Sequence, residues 1–510
     1  MSHFEIPAEQ AGASDLSGAG SVFGNRAFLS LWTAQVLSQL ASNIVLAALM
    51  AAVFGSTGSN TANAVLILTF LVPAVLFSVV AGVFIERADA RLIMLATNIV
   101  RAVGTIGFVF VASNTQNANV PLVYLLNLLI ATATAFFAPA ELTAIPRLVE
   151  RRHLMAANSI FVLTVNATFA VGFGFLGPLL LKTTGPIPVY VVVAAMFAIA
   201  AVAIVPISAV PPDLTRARGH EAERAVRELV SQVREGIAFV RRHHAIAWSL
   251  TYLGVAASLI GVMGAIGPGF AEQILHLTEE DFFFVMGPAG IGAILGILFL
   301  NSYGKEVPKR LVIDIGLLAM GATLIALAIV KPLTGVFAPA VAPLEDRLPT
   351  ALAPLLSLIA VVVVIAVLAG VEYAFVAIPS QTALQEDLPP DVRGRVFGIL
   401  NTLLSIASFF PVIAAPVVAD LLNIAFEGAG IPVVMALLGI ATLWAGVASW
   451  RRNERAGLHA GRGLFEARAP APGDAHAVRP PMPDPAPARF IRRRHRRRRA
   501  VDRRLATDGE

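Results

Sequence analysis

Apolar residues run through this chain in long blocks, and polar residues gather in the short gaps between them. A helix needs about 20 mainly apolar residues to cross a bilayer. Twelve stretches meet that length: 28–53, 64–84, 92–112, 121–140, 156–182, 188–210, 246–271, 282–302, 311–330, 354–379, 396–422 and 431–450. None alternates apolar and polar residues with a period of two, so helices are predicted rather than strands. The expected fold is an all-α membrane protein with twelve transmembrane helices.

The gaps carry the orientation. Lys and Arg collect on the cytoplasmic side of membrane proteins. With the N-terminus inside, the inner loops hold Arg26, Arg87, Arg91, Arg147, Arg151, Arg152, the arginines of 211–245, Lys305, Lys309, Arg310, Arg393 and Arg395. The outer loops then hold only Lys331 and Arg347, with Lys182 at a helix end. Both termini are therefore expected in the cytoplasm. The outer loops "GSTGSN" and "SNTQNAN" read as short, neutral and polar.

The longest inner connection divides the chain into an N-terminal segment 1–27, a six-helix half 28–210, a cytoplasmic linker 211–245, a second six-helix half 246–450 and a tail 451–510. In the linker, Leu229, Val233, Ile237 and Val240 recur at helical spacing, as in a helix lying on a membrane surface or on the bundle. The halves look related: at a constant offset Pro139 matches Pro379, Leu148 matches Leu388 and Ala156 matches Val396. A repeat of parallel topology is a mark of transporters. The tail is Pro/Ala-rich and ends in "RFIRRRHRRRR", a cation block suited to anionic lipid headgroups. It lacks interleaved aromatics, so no nucleic acid is expected as a partner.

Composition agrees with a bilayer as the solvent. The chain of 510 residues is 57% hydrophobic and only 14% charged, with mean hydropathy +0.76. A soluble protein has roughly 25% charged residues. Cysteine is absent, which excludes disulfides and thiolate metal sites. The nine histidines fall in loops or tails, so neither a metal nor a cofactor is expected. The first apolar run is too long for a cleaved signal peptide.

Few polar residues lie inside the predicted spans. Glu372 is the only carboxylate placed well inside one, and a charge at bilayer depth costs about 2.5–3.5 kcal/mol on insertion scales. It must face the interior, be paired or be protonated, so it is the candidate proton-coupling acid. The competing reading is a structural acid satisfied by an Arg or an amide. Arg101 is the corresponding cation, close enough to the cytoplasmic end to reach water and expected to pair with Asn98 or a loop acid. Gln35, Gln39 and Ser42 or Asn43 fall on one face of the first helix, lining a cavity or bonding another helix. Asn127, Tyr252, Tyr373 and Asn401 are weaker candidates of the same kind. "GFGFLG", with Gly172, Gly174 and Gly177 followed by Pro178, has no preceding strand and so is no dinucleotide loop. It reads as a close-packed, bendable fifth helix. "GPAGIGAILG" in the eighth reads as small-residue packing. No phosphate-binding loop, nucleophile–base pair or metal cluster is present, so no enzyme is expected.

Five stretches carry a family resemblance: "GNRAFLSLWTAQVLSQLASN", "GVFIERADAR", "FFAPAELTAIPRLV", "LMAANS" and "QEDLPPDVRGRVFGILNT". In this order, on twelve helices, they resemble the Major Facilitator Superfamily over residues 23–450, and most the bacterial efflux branch of macrolide and enterobactin exporters. Departures fall at Ala34, Ala41, Ser42, Glu86, Ala90, Asn98 and Glu141. The resemblance implies a secondary transporter of a bacterial cytoplasmic membrane, taking a small amphipathic molecule and protons, with membrane lipids around it and a monomer expected. It implies that helices one, four, seven and ten line the cavity. It also implies a cytoplasmic gate from Gly82, Glu86, Arg87, Asp89, Arg91, Glu141, Arg147, Arg393 and Arg395. There the resemblance implies that Glu86 holds the start of the eleventh helix; Arg87 and Arg91 are candidates to pair with Glu141, with ordinary positive-inside loop charge as the competing reading. Import, a lysophospholipid-type lipid carrier and a non-transporting sensor acting through the basic tail are the competing readings.

Overall fold

The computed structural model describes residues 22–85, 88–113, 119–150, 153–209, scattered positions between 231 and 239, 240–303, 307–332, 358–386 and 393–455. Twelve principal helices carry them, and no strand occurs among the described residues. They are α1 (Arg26–Thr57), α2 (Asn60–Ile85), α3 (Ala90–Ser113), α4 (Val120–Leu148), α5 (Leu154–Val171, resuming at Gly177–Thr184), α6 (Pro186–Ile204), α7 (His244–Gln273), α8 (Phe283–Tyr303), α9 (Lys309–Ala328), α10 (Leu358–Glu386), α11 (Arg393–Ala425) and α12 (Gly430–Arg455). Eleven are long and apolar enough to cross a membrane, and α2 adds a shorter apolar stretch, Asn60–Ala74. Helices satisfy every backbone polar group internally, which a hydrocarbon solvent demands. Phe110, Ile424 and Trp444 accordingly point outward.

Local chemistry sets the helix ends. Asn25 opens α1, its side-chain oxygen accepting the N–H groups of Ala27 (3.0 Å) and Phe28 (3.3 Å). The same amide donates to the Leu148 carbonyl at 2.6 Å, tying the start of α1 to the end of α4. Gly58 closes α1 in the left-handed region, φ 62°, where a side chain would be strained. The turns that follow α1, α5, α7 and α11 fall at the end of the bundle remote from Arg26, called the distal end below.

Two helices depart from expectation in informative ways. α4 was expected to end at 140 but continues through Pro139 and Pro146 to Leu148. Its acid Glu141 is buried, and the helix closes beyond it with the Val149 N–H on the Ile145 carbonyl (3.1 Å). α5 carries a π-helical turn at Gly172–Leu176. Pro178 has no N–H to give the carbonyl four residues back, and the Gly177 N–H bonds instead to the Gly172 carbonyl, five back. This turn packs on α1. A Cβ at Gly172 would lie 2.8 Å from Asn43 Cβ, and one at Gly177 only 2.7 Å from Ala47 Cβ. Elsewhere, Gly292 of α8 sits against the Val367 carbonyl of α10, and Gly321 of α9 sits so close to α12 that a Cβ there would lie 2.9 Å from the Gly439 carbonyl.

The described positions between 231 and 242 are helical. Most of the linker 211–245, the first 21 residues and the tail beyond Arg455 lie outside the described residues.

Candidate functional site

The first buried polar centre forms around Arg101. Its side chain turns back along α3, the direction a helix gives its side chains, and reaches the space between α1, α4 and α6. It is 2% exposed, so it does not reach water as expected. Its Nη2 donates to Asn98 Oδ1 (2.8 Å) and its Nε to the Thr97 carbonyl (3.4 Å). The guanidinium lies 4.6 Å from the Phe137 ring centre and 4.9 Å from that of Phe197. Ser38 of α1 donates its hydroxyl to the same Asn98 oxygen at 2.8 Å. Glu141 of α4 is buried in the same part of the helical bundle, within electrostatic range of Arg101. Its Oε1 has no hydrogen-bond partner among the described residues. The acid near Arg101 is therefore on a helix, not in a loop. Glu141 also does not serve Arg91, whose guanidinium donates instead to the Val205 carbonyl.

The stripe on α1 turns toward α5. Gln35 is buried and donates to the Phe161 carbonyl (3.5 Å), while Asn43 packs on Gly172. Gln39 is half-buried between them in sequence. Asn127 of α4 donates to Thr69 Oγ1 (2.9 Å) and the Leu66 carbonyl (3.4 Å) of α2.

The second centre is Glu372, at the midpoint of α10 and 9% exposed. Thr323 of α9 donates to its Oε1 at 2.8 Å. Its Oε2 is buried and has no partner among the described residues. Tyr373, half-buried beside it, packs with Ile313, Leu317 and Val376.

A third centre was not anticipated. Asp314 of α9 is fully buried and accepts from Asn453 Nδ2 (2.9 and 3.1 Å) and from Ser449 Oγ of α12. Tyr252 of α7 shares a hydrogen bond with Ser449 (2.6 Å) and accepts from Arg452 (2.6 Å). Arg452 also lies over Trp248, 3.9 Å from the ring centre. Tyr252 thus bonds α7 to α12, and Ser449 carries the network on to Asp314 of α9. Asp314, Glu141 and Asp420 all lie inside helices, so Glu372 is not alone as an intrahelical acid. The signal for Asp314 was visible, since it falls within the 311–330 run. Its partner Asn453 sits beyond the predicted end of the last span.

Of the expected gate, Asp89 accepts the Arg91 N–H at 2.9 Å and opens α3, and Arg147 is exposed near the end of α4. Gly82 lies in the last turns of α2. Glu86 and Arg87 lie outside the described residues, as do the side chains of Arg393, Arg395 and Asn401 at the start of α11. Among the described residues, no cluster of His, Asp or Glu is placed to hold a metal. A cavity of about 590 Å³ opens between α7, α11, α12 and the linker positions Ile237, Val240 and Arg241, with Thr251, Ser258 and Thr442 on its wall. Of the residues singled out from the sequence, its lining includes Ile237 and Val240 of the linker stripe and none of the polar candidates inside the spans.

Comparison with known proteins fits this architecture. The family model described as Major Facilitator Superfamily matches residues 31–412. An uncharacterized MFS-type transporter of Bacillus subtilis, YfiS, is 22% identical over 424 residues, 82% of this chain and 93% of that protein. Macrolide efflux protein A of Streptococcus pyogenes is 20% identical over 399 residues, 78% of this chain and 90% of that protein. Among solved structures, the nucleoside transporter NupG superposes with a TM-score of 0.59 at 13% identity, covering 83% of this chain and 98% of that one. A bacterial homolog of the human lysosomal transporter Spinster, inward-facing and occupied, superposes with a TM-score of 0.56 at 14% identity, covering 87% and 98%.

Proposed function

Because the chain belongs to the Major Facilitator Superfamily, whose model matches residues 31–412, we propose that it exports amphipathic small molecules across a bacterial plasma membrane, driven by protons. A drug, a macrolide or a siderophore is the class of cargo. The similarity to macrolide efflux protein A supports the direction and the class. Alternating access comes from rocking α1–α6 against α7–α12.

The observation that carries the coupling is the half-satisfied carboxylate of Glu372. It stands at the midpoint of an apolar helix, with one oxygen held by Thr323 and the other buried without a partner among the described residues. A permanent charge there is costly in hydrocarbon. A proton taken up on Oε2 removes that charge, and its release restores it. The free oxygen is the place for the transported proton. Arg101 is a second buried charge, and its Asn98 partner ties α3 to α1 through Ser38.

The test is an accumulation and toxicity screen in a pump-deficient bacterial host expressing the chain, with and without an uncoupler. Lower accumulation and higher tolerance of an amphipathic drug, both abolished by the uncoupler, are expected. Raised accumulation would favour import. Unchanged accumulation across amphipathic drugs and lysophospholipids would sink the transport reading.

A further inference from the structure

The distal end of the bundle is closed by an unusual cap. Asp420 lies near the distal end of α11, one of the last six helices. Its Oδ1 accepts the Asn60 backbone N–H (3.1 Å) and the Asn60 side-chain amide (2.8 Å). Its Oδ2 accepts the Thr61 N–H (2.7 Å) and the Ser59 hydroxyl (2.7 Å). These donors form the start of α2, one of the first six helices. The Ser59 oxygen in turn accepts the Ala62 N–H at 3.2 Å, so the carboxylate organises the whole first turn.

A helix begins with backbone N–H groups that lack intrahelical partners and with the positive end of its dipole. An acid or hydroxyl just before the helix usually satisfies them. Here an anion comes from a helix some 360 residues further along the chain, where four donors converge on one carboxylate. Charge-assisted bonds of this kind are short and strong.

Other contacts across the same groups of helices sit at the same end. Lys182 of α5 forms an ion pair with Asp281, just before α8. Asp281 is itself fixed by the Thr278 N–H (3.2 Å) and hydroxyl (2.9 Å). Asn63 of α2 donates to the Ala265 carbonyl of α7 at 3.3 Å. Phe173, in the π-helical turn, packs on Phe282 with ring centres 6.0 Å apart. Gly269 of α7 lets α7 approach closely enough that a Cβ there would lie 2.9 Å from the Phe54 ring.

We infer that Asp420 is an interdomain latch: it caps α2 only while the distal end is shut, and that end opens only by stripping the cap. Opening must separate one carboxylate from four donors together, which weights the resting protein toward the distally closed state. Lys182–Asp281 is the companion contact across α5 and α8. The latch depends on neither the cargo nor the coupling ion, so it stands or falls apart from the export reading.

The chain has no cysteine, so paired labels can be introduced without background. Ser56→Cys and Glu427→Cys place spin labels at exposed positions in the last turn of α1 and in the turn after α11. Distances between them are measured by pulsed electron resonance on the full chain in lipid nanodiscs, alone and with Asp420→Ala or Asp420→Asn. A single short distance is expected for the labelled parent. Both variants should shift the closed-to-open ratio by about tenfold toward longer distances, as loss of a charged cap predicts. Asp420→Asn keeps the size of the side chain and decides the matter if Asp420→Ala does not fold. A parental distance distribution in Asp420→Asn would overturn the latch.

Discussion

Thr323 donates its hydroxyl hydrogen to one oxygen of Glu372 at 2.8 Å, while the other oxygen of that carboxylate is buried without a partner among the described residues. The bond fixes the acid against α9 and leaves one position for a proton. Thr323→Val removes the donor and keeps the shape. A hydrogen bond to a charged group contributes about 1.5–3 kcal/mol, and the loss falls on the charged form of Glu372. The expected result is a shifted pH profile of export with protein levels intact. Thr323→Ser should restore the parental profile, and an unshifted Thr323→Val profile would show that the bond does not tune Glu372.

Arg101 and Glu141 should be coupled energetically. Removing one partner of a buried pair leaves the other uncompensated, at a cost of about 3–5 kcal/mol. Arg101→Met also strips the contacts to Phe137 and Phe197. Thermal unfolding in detergent should show a large loss for Arg101→Met. A smaller loss is expected for Arg101→Met with Glu141→Gln. Additive losses in the double variant would rule out the pairing.

The glycines separate by what they face. A Cβ at Gly321 meets the Leu443 backbone nitrogen at 2.6 Å and the Gly439 carbonyl at 2.9 Å, neither of which can turn aside. At Gly107 it meets only the ends of Leu126, also 2.9 Å away. Gly321→Ala should therefore destabilise by about 1–3 kcal/mol, the range for overpacking, and Gly107→Ala by clearly less. Melting temperatures of the two variants check the order.

Tyr252 links Ser449 and Arg452, and through Ser449 reaches Asp314. Tyr252→Phe removes one hydroxyl from a buried network and should cost about 1–3 kcal/mol. Combining it with Ser449→Ala should cost less than the sum. Strict additivity in thermal unfolding would mean that the residues act independently.

The membrane architecture is legible in the sequence because the bilayer imposes a length on every span. The twelve apolar runs correspond to the twelve principal helices, each within several residues. The misreadings have a common cause. Polar residues near a run's edge read as its end, whereas a partner on another helix can bury them. Glu141 lies buried inside α4 rather than at its end, and Asn453 lies inside α12, where Asp314 accepts from it. Those partners are distant in sequence, and residue type alone does not name them. Arg101 was expected to reach water, yet Asn98 and two rings satisfy it inside.

The gate shows the same limit. The motif "GVFIERADAR" directs attention to one end of α2, where Glu86 and Arg87 lie outside the described residues. The acid-to-helix contact that is described lies at the other end, between Asp420 and "GSTGSN", a loop that reads as unremarkable. Two of its four donors are backbone N–H groups, which every residue but proline carries, and the other two are the common Ser59 hydroxyl and Asn60 amide. No side-chain pattern announces them.

The central claim is that Glu372 carries the proton that drives export. The most direct measurement is gradient-driven transport of an amphipathic drug into inverted vesicles or proteoliposomes, with internal pH followed at the same time, for the parent and for Glu372→Gln. The parent is expected to move drug and protons together. Glu372→Gln, present at the parental level and still binding drug, is expected to lose both the proton flux and the gradient-driven accumulation. Proton-coupled accumulation at the parental rate in Glu372→Gln would contradict the account.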